Sequence, residues 1–209
     1  MTNPFNFLNV GAWNVQGIFT MVNKVKLCKL ADNEFEKRLR TFNIIALQEI
    51  KCGPEESQKF SLHDFRLIPF HRKISSNNRY IGGTLLLNKN RIKKGVKVID
   101  NLQGDKIWIK LDKLFFNLEK NLFICFTYAP RSTPPYVKSL EYDIFEKLPE
   151  DISFYSTEGN VILAGDLNAK TNIMRDYVTD DRDSHTPIKD IALYIYDSHL
   201  DRQNQDHTR

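Results

Sequence analysis

Four apolar runs, "VGAW", "IIAL", "FICF" and "VILAG", each break off at polar residues, delivering in turn Asn14, Glu49, Tyr128 and the pair Asp166 and Asn168. An unbroken apolar run too short for a helix has the pattern of a strand buried in a sheet. Strands are expected from Phe5 to Trp13 and from Asn43 to Gln48, and the sequence between them is helix-like. In "NEFEKRLRTF", Phe35, Leu39 and Phe42 recur at helical spacing, while Asn33 and Glu36 form a capping-box pattern. A strand-helix-strand crossover lays its two strands parallel. Asn14 and Glu49 should therefore emerge at the same sheet edge, where open sheets tend to place ligands.

From Phe65 to Tyr128 the pattern changes. The runs "FRLIPF", "YIGGTLLLN", "GVKVI", "KIWIKL" and "LFICFTYA" follow one another across polar turns, which implies an antiparallel-rich sheet or sandwich. "VKSLEYDIFEKL" then sets Val137, Leu140, Ile144 and Leu148 on one helical face, with Pro149 expected as the stop. "NVILAG" is a further buried strand, and "DIALYIYDSHL" fits neither the helical nor the strand period. No repeat or Gly/Ser linker interrupts the 209 residues, so one domain over residues 1–209 with one core is expected.

Thirty basic against 26 acidic residues leave a net charge of +4, which permits a polyanionic partner without demanding one. Cys28, Cys52 and Cys125 are odd in number and far apart, so neither a disulfide framework nor a zinc site is indicated. A reducing, intracellular compartment, nuclear or cytoplasmic, is the expectation. "MTNPFNFLNVGAW" lacks a basic start and an uninterrupted apolar stretch, and no later segment has the length to span a bilayer. Neither secretion nor membrane insertion is expected.

Each polar strand end has a plain explanation when taken alone. Asn14 with Gly17 is a turn signal, Glu49 a solvated strand end, Tyr128 a core ring with its hydroxyl at the surface, and "GDLN" is turn chemistry. Taken together they are the groups that metal-assisted hydrolysis of a phosphate ester needs. A hard Mg²⁺ ion takes one or two carboxylates and keeps several waters, a role for Glu49. Asp166 would orient or deprotonate the attacking water. Asn14, Asn168 and the Tyr128 hydroxyl would donate to phosphoryl oxygens, where charge builds in the transition state.

"NVGAWNVQG", "IIALQE", "FTYAPR" and "VILAGDLNA" stand in the order and approximate spacing of the endonuclease/exonuclease/phosphatase superfamily, which the chain resembles over nearly its whole length. Within that superfamily "KLADNEFEKRLRTFNIIALQE" and "GDLNAKT" look most like the endonuclease domain of non-long-terminal-repeat retrotransposons. The resemblance implies an α+β fold, a deoxyribonuclease I-like four-layer sandwich of two mixed β-sheets flanked by helices. It also implies a phosphodiesterase using Mg²⁺, or Mn²⁺ in its place, that nicks DNA and belongs to a longer polyprotein with a reverse transcriptase. A phosphatase of the same superfamily and an inactive fragment are the alternatives.

By the same resemblance, Asn14 and Glu49 serve the metal and phosphate, Tyr128 the phosphate, and Asp166 the attacking water with Asn168 beside it. Arg131 is either a contact to a flanking phosphate or a solvated loop residue. Gln16 departs from members with an acidic residue at that place. The strands that carry the superfamily's last Asp and His are expected to be missing. Asp206 and His207 in the polar tail are accordingly not read as an acid/base pair. "NKNRIKKGVK" and "HRK" are either solvated turns or segments that track a DNA backbone, and "DYVTDDRDSH" lacks the spacing of a calcium loop.

Overall fold

A computed structural model describes residues 7–72, 80–102, 104–129 and 144–167. Asn168, Arg131, the "DIALYIYDSHL" and "DYVTDDRDSH" segments, Val137, Leu140 and the Asp206–His207 pair lie outside them. Two four-stranded mixed sheets face each other. The first has the order β1 (Val10–Asn14), β4 (Ile44–Gln48), β6 (Thr84–Lys89), β5 (Phe65–Phe70). The second has the order β10 (Gly159–Asp166), β9 (Asn121–Tyr128), β8 (Lys106–Leu111), β7 (Val96–Leu102). Each contains one parallel pair. Asn14 lies opposite Gln48 in β1–β4, and Asp166 lies opposite Tyr128 in β9–β10. The remaining pairings are antiparallel.

The two-residue period of the strands explains the layers. Ile44 and Ala46 join Ile107, Ile109, Ile124 and Phe126 in the core between the sheets. Their neighbours Ile45 and Leu47 turn outward onto Leu39, Phe35, Ile18 and Leu30, where α1 (Asn33–Leu39) and adjoining segments cover the first sheet. On the far side Trp108, Phe123 and Cys125 meet Leu148, Ile152 and Tyr155 of α4 (Ile144–Glu158). The four layers are therefore helix, sheet, sheet, helix. A hairpin of β2 (Phe19–Val22) and β3 (Val25–Cys28), the short helices α2 (Pro54–Ser57) and α3 (Lys113–Phe116), and two 3₁₀ turns complete the described chain. Among the described residues no helix is long and apolar enough to cross a membrane.

Three local expectations are corrected. The cap of α1 is Asp32, not Asn33: its carboxylate accepts the Phe35 N–H (2.8 Å), while Glu36 pairs with Arg40 one turn on. Pro149 does not stop its helix but lies inside α4. A mid-helix proline costs about 3 kcal/mol, whereas burying Leu148 returns about 1.5–3 kcal/mol and the partly buried Ile152 adds to it. Tyr155 adds ring contacts at 4.6 Å to Trp108 and 4.9 Å to Phe123, so packing wins. Finally, Arg72 of "HRK" does not reach solvent to track a backbone, because it is buried in an ion pair with Asp105.

Candidate functional site

β1, β4, β9 and β10 all end at one rim of the sandwich, and there Asn14, Glu49, Tyr128 and Asp166 come together. Beyond β1 and β4 the two chains stay locked side by side: the Val15 N–H donates to the Gln48 carbonyl (3.0 Å), Gly17 to Glu49 (2.7 Å) and Ile18 to Ile50 (3.0 Å). This pairing holds Gln16, Glu49 and Lys51 at φ of 50°, 56° and 50°. The left-handed region costs an L-residue about 1–2 kcal/mol. The rim is thus strained at the residues that present the site.

Glu49 is the hub. Its Oε1 accepts from the Tyr128 hydroxyl and from Asn14 Nδ2 (3.1 Å), and its Oε2 faces the Lys51 ammonium at 2.6 Å. Burial pushes the Glu49 carboxyl up, but the bonds from Lys51, Tyr128 and Asn14 together outweigh it and hold the group below the usual carboxylate range. Asn14 Nδ2 also donates to Asp166 Oδ2 (3.0 Å), so one amide bridges carboxylates from the two sheets. The amide is aimed by its other end, where Oδ1 accepts the Gln16 backbone N–H (2.9 Å). Gln16 supplies only this backbone contact among the described residues.

Two residues at the rim were not singled out from sequence. Lys51 lies two positions past Glu49, and its contact depends on a left-handed backbone that no local pattern announces. Gln48 is nearly fully buried, and its Oε1 accepts the Asp166 backbone N–H (3.1 Å). A polar residue within an otherwise buried run is the signal that could have marked it. Among the described residues no three His, Cys, Asp or Glu side chains gather as a metal cluster. The three cysteines are free, and burial pushes the Cys52 and Cys125 thiols up to about 12.

Residues 11–202 match the Endonuclease/Exonuclease/phosphatase family. Among solved structures, the AP endonuclease LMAP from Leishmania major is similar with a TM-score of 0.57 and 17% identity, covering 82% of this chain and 58% of that one. The APE2 catalytic domain from Xenopus laevis is similar with a TM-score of 0.56 and 16% identity, covering 82% of this chain and 62% of that one. The chain thus spans less than two thirds of the length of either. At such identities the likeness speaks for the fold, the α+β sandwich of mixed sheets that the motifs implied. No curated protein sequence matches the chain.

Proposed function

The chain belongs to the endonuclease/exonuclease/phosphatase family, and from that premise we propose that it carries the core of a divalent-metal-dependent phosphodiesterase that nicks DNA. The observation that carries this reading is the meeting of four strand ends from two sheets on Glu49, with Asn14 bridging to Asp166. In this reading residues 1–209 contribute to one catalytic domain.

Glu49, with Asn14 beside it, would hold Mg²⁺, or Mn²⁺ in its place. The fit rests on Glu49, a carboxylate held ionised, since Mg²⁺ takes only one or two carboxylates while keeping its waters; Asn14, whose oxygen accepts from the Gln16 N–H, would have to turn its amide to add a second oxygen. When bound, such an ion neutralises charge on the phosphoryl and leaving oxygens. Asp166 orients and deprotonates the attacking water. The Asn14 amide and Tyr128 hydroxyl rest on carboxylates in the free protein, and a phosphate oxygen arriving between them offers both a new acceptor. Asn168 would act on the phosphate beside Asp166, and Arg131 on a flanking phosphate.

"KLADNEFEKRLRTFNIIALQE" and "GDLNAKT" favour the retrotransposon branch, with DNA as substrate, a reverse transcriptase in the same polyprotein and an intracellular site of action. The solved AP endonucleases of similar fold are in keeping with a DNA substrate. The test is nicking of supercoiled plasmid by the full natural product that carries residues 1–209, with Mg²⁺, with chelator, and with Glu49→Ala. Nicking that needs the metal and is lost in the variant is expected. Equal cleavage by wild type and variant would overturn the site, and a preference for phosphomonoesters over plasmid would move the activity to the phosphatases.

A further inference from the structure

We propose that Gln48 is a positioning residue, a cross-sheet tie that sets Asp166 against Glu49. The proposal rests on the functional reading above. Gln48 immediately precedes Glu49 at the end of β4, and its side chain leaves the first sheet to reach the backbone of the second. By the strand period it shares the inward face with Ile44 and Ala46, so an amide stands where the pattern calls for an apolar residue. Its exposure is 1%, and among the described residues Nε2 has no hydrogen-bond partner. A buried amide with one unsatisfied end costs about 1–3 kcal/mol. The interior keeps it although an apolar side chain of equal volume would remove that cost.

What the amide gains is the Asp166 N–H, accepted at 3.1 Å. The Asp166 carbonyl is held as well, since it accepts the Ala129 N–H (2.9 Å). Both backbone groups of Asp166 are therefore tied, one to the end of its own sheet and one to the residue next to Glu49. Gly165 makes the approach feasible. Its φ is +137°, and a Cβ there would fall 2.0 Å from the Thr127 carbonyl oxygen and 2.8 Å from Gln48 Nε2. Any side chain at 165 would push β10 away from both.

The tie has a direct chemical use. Glu49 and Asp166 come from different sheets, and the Asn14 amide that bridges them has to be free to turn toward a phosphate. Gln48 keeps the two carboxylates in register while it does. Its function is then acceptance of one N–H by Oε1, and the Nε2 end contributes nothing.

Gln48→Met, nearly isosteric but without the acceptor, separates this role from packing. In the full natural product, plasmid nicking should lose about 10²-fold in kcat, the scale of a misplaced catalytic group, with KM within about twofold because the phosphate-holding groups are untouched. The Tm should change little, since removing the unsatisfied Nε2 is set against an Asp166 N–H left without its acceptor. Gln48→Glu, which keeps an acceptor at the same place, should recover most of the kcat. In parallel, hydrogen exchange at the Asp166 amide reads the tie without activity: protection should fall in Gln48→Met and persist in Gln48→Glu. Unchanged protection in Gln48→Met, an unchanged kcat, or a kcat that falls only in step with Tm would each overturn the proposal. Absence of cleavage by wild type with the exchange pattern as expected would instead sink the functional reading and leave the tie standing.

Discussion

Two charged clusters stand at the same rim and share one residue. The Tyr128 backbone N–H donates to the Asp105 carbonyl (2.7 Å), while its hydroxyl donates to Glu49. On the rim's covered side, Asp105 pairs with Arg72, with side chains 0% and 3% exposed. On its more open side, Glu49 pairs with Lys51, at 15% and 44%. The same pairing of carboxylate and cation thus has two fates. Sealed from water, the Arg72–Asp105 pair has no solvent to replace a lost partner, so it acts as scaffold. Partly open to water through Lys51, the Glu49 cluster can trade partners with a ligand at lower cost. Exposure, rather than charge, separates the support from the site it supports.

The largest test of that contrast is to break the sealed pair. Asp105→Ala removes the carboxylate that pairs with the buried Arg72 guanidinium, and a loss of about 3–5 kcal/mol in denaturant unfolding is expected. The double variant Arg72→Met with Asp105→Leu should regain most of it, because the pair's cost lies in desolvation. Glu49→Ala, in a cluster that water partly reaches, should cost clearly less. Equal losses for Asp105→Ala and Glu49→Ala would erase the distinction between scaffold and site.

Activity should reverse the order. Glu49→Ala is expected to lower plasmid nicking about 10³-fold, the several kcal/mol that charge neutralisation at the phosphate supplies. Tyr128→Phe sharpens the comparison further, since it removes only the hydroxyl and leaves the N–H on Asp105. A loss of about 10²-fold in kcat with little change in Tm is the expected result. A large drop in Tm would mean that the tyrosine serves the scaffold through both of its ends.

The contrast also explains what could be read from sequence. β5 and β8 fall on "FRLIPF" and "KIWIKL" because apolar content and polar turns bound them locally. β6 starts at Thr84, later than "YIGGTLLLN" suggests, because Gly82 and Gly83 adopt φ of 61° and 74°. The β2–β3 hairpin went unread: its turn, Asn23 and Lys24 with φ of 49° and 65°, has the backbone of a type I′ turn without the glycine that usually marks one. Asn14, Glu49, Tyr128 and Asp166 were legible because each ends an apolar run. Arg72, Lys51 and Gln48 were not, since whether a polar side chain is sealed, exposed or reaching across to another sheet depends on elements far along the chain. Arg72 and Asp105 are 33 residues apart, and Gln48 and Asp166 are 118 apart.

The smallest effect belongs to an exposed pair away from the rim. Lys26 of β3 bonds Glu56 of α2, with side chains 51% and 36% exposed. The Lys26 ammonium, opposed by partial burial and aided by the Gly53 N–H (3.1 Å), holds the Glu56 carboxyl below its ordinary value. A carboxyl whose folded pKa is depressed adds stability that is present above its unfolded pKa and is lost as pH falls through the folded one. Lys26→Ala should therefore raise the Glu56 pKa toward the ordinary range in an NMR titration and flatten its share of the acid-side loss of stability. At neutral pH the cost should stay under about 1 kcal/mol and shrink further in salt, because solvent screens so open a pair. A loss approaching that of Asp105→Ala would show that exposure does not govern what these pairs contribute, and the contrast at the rim would need another cause.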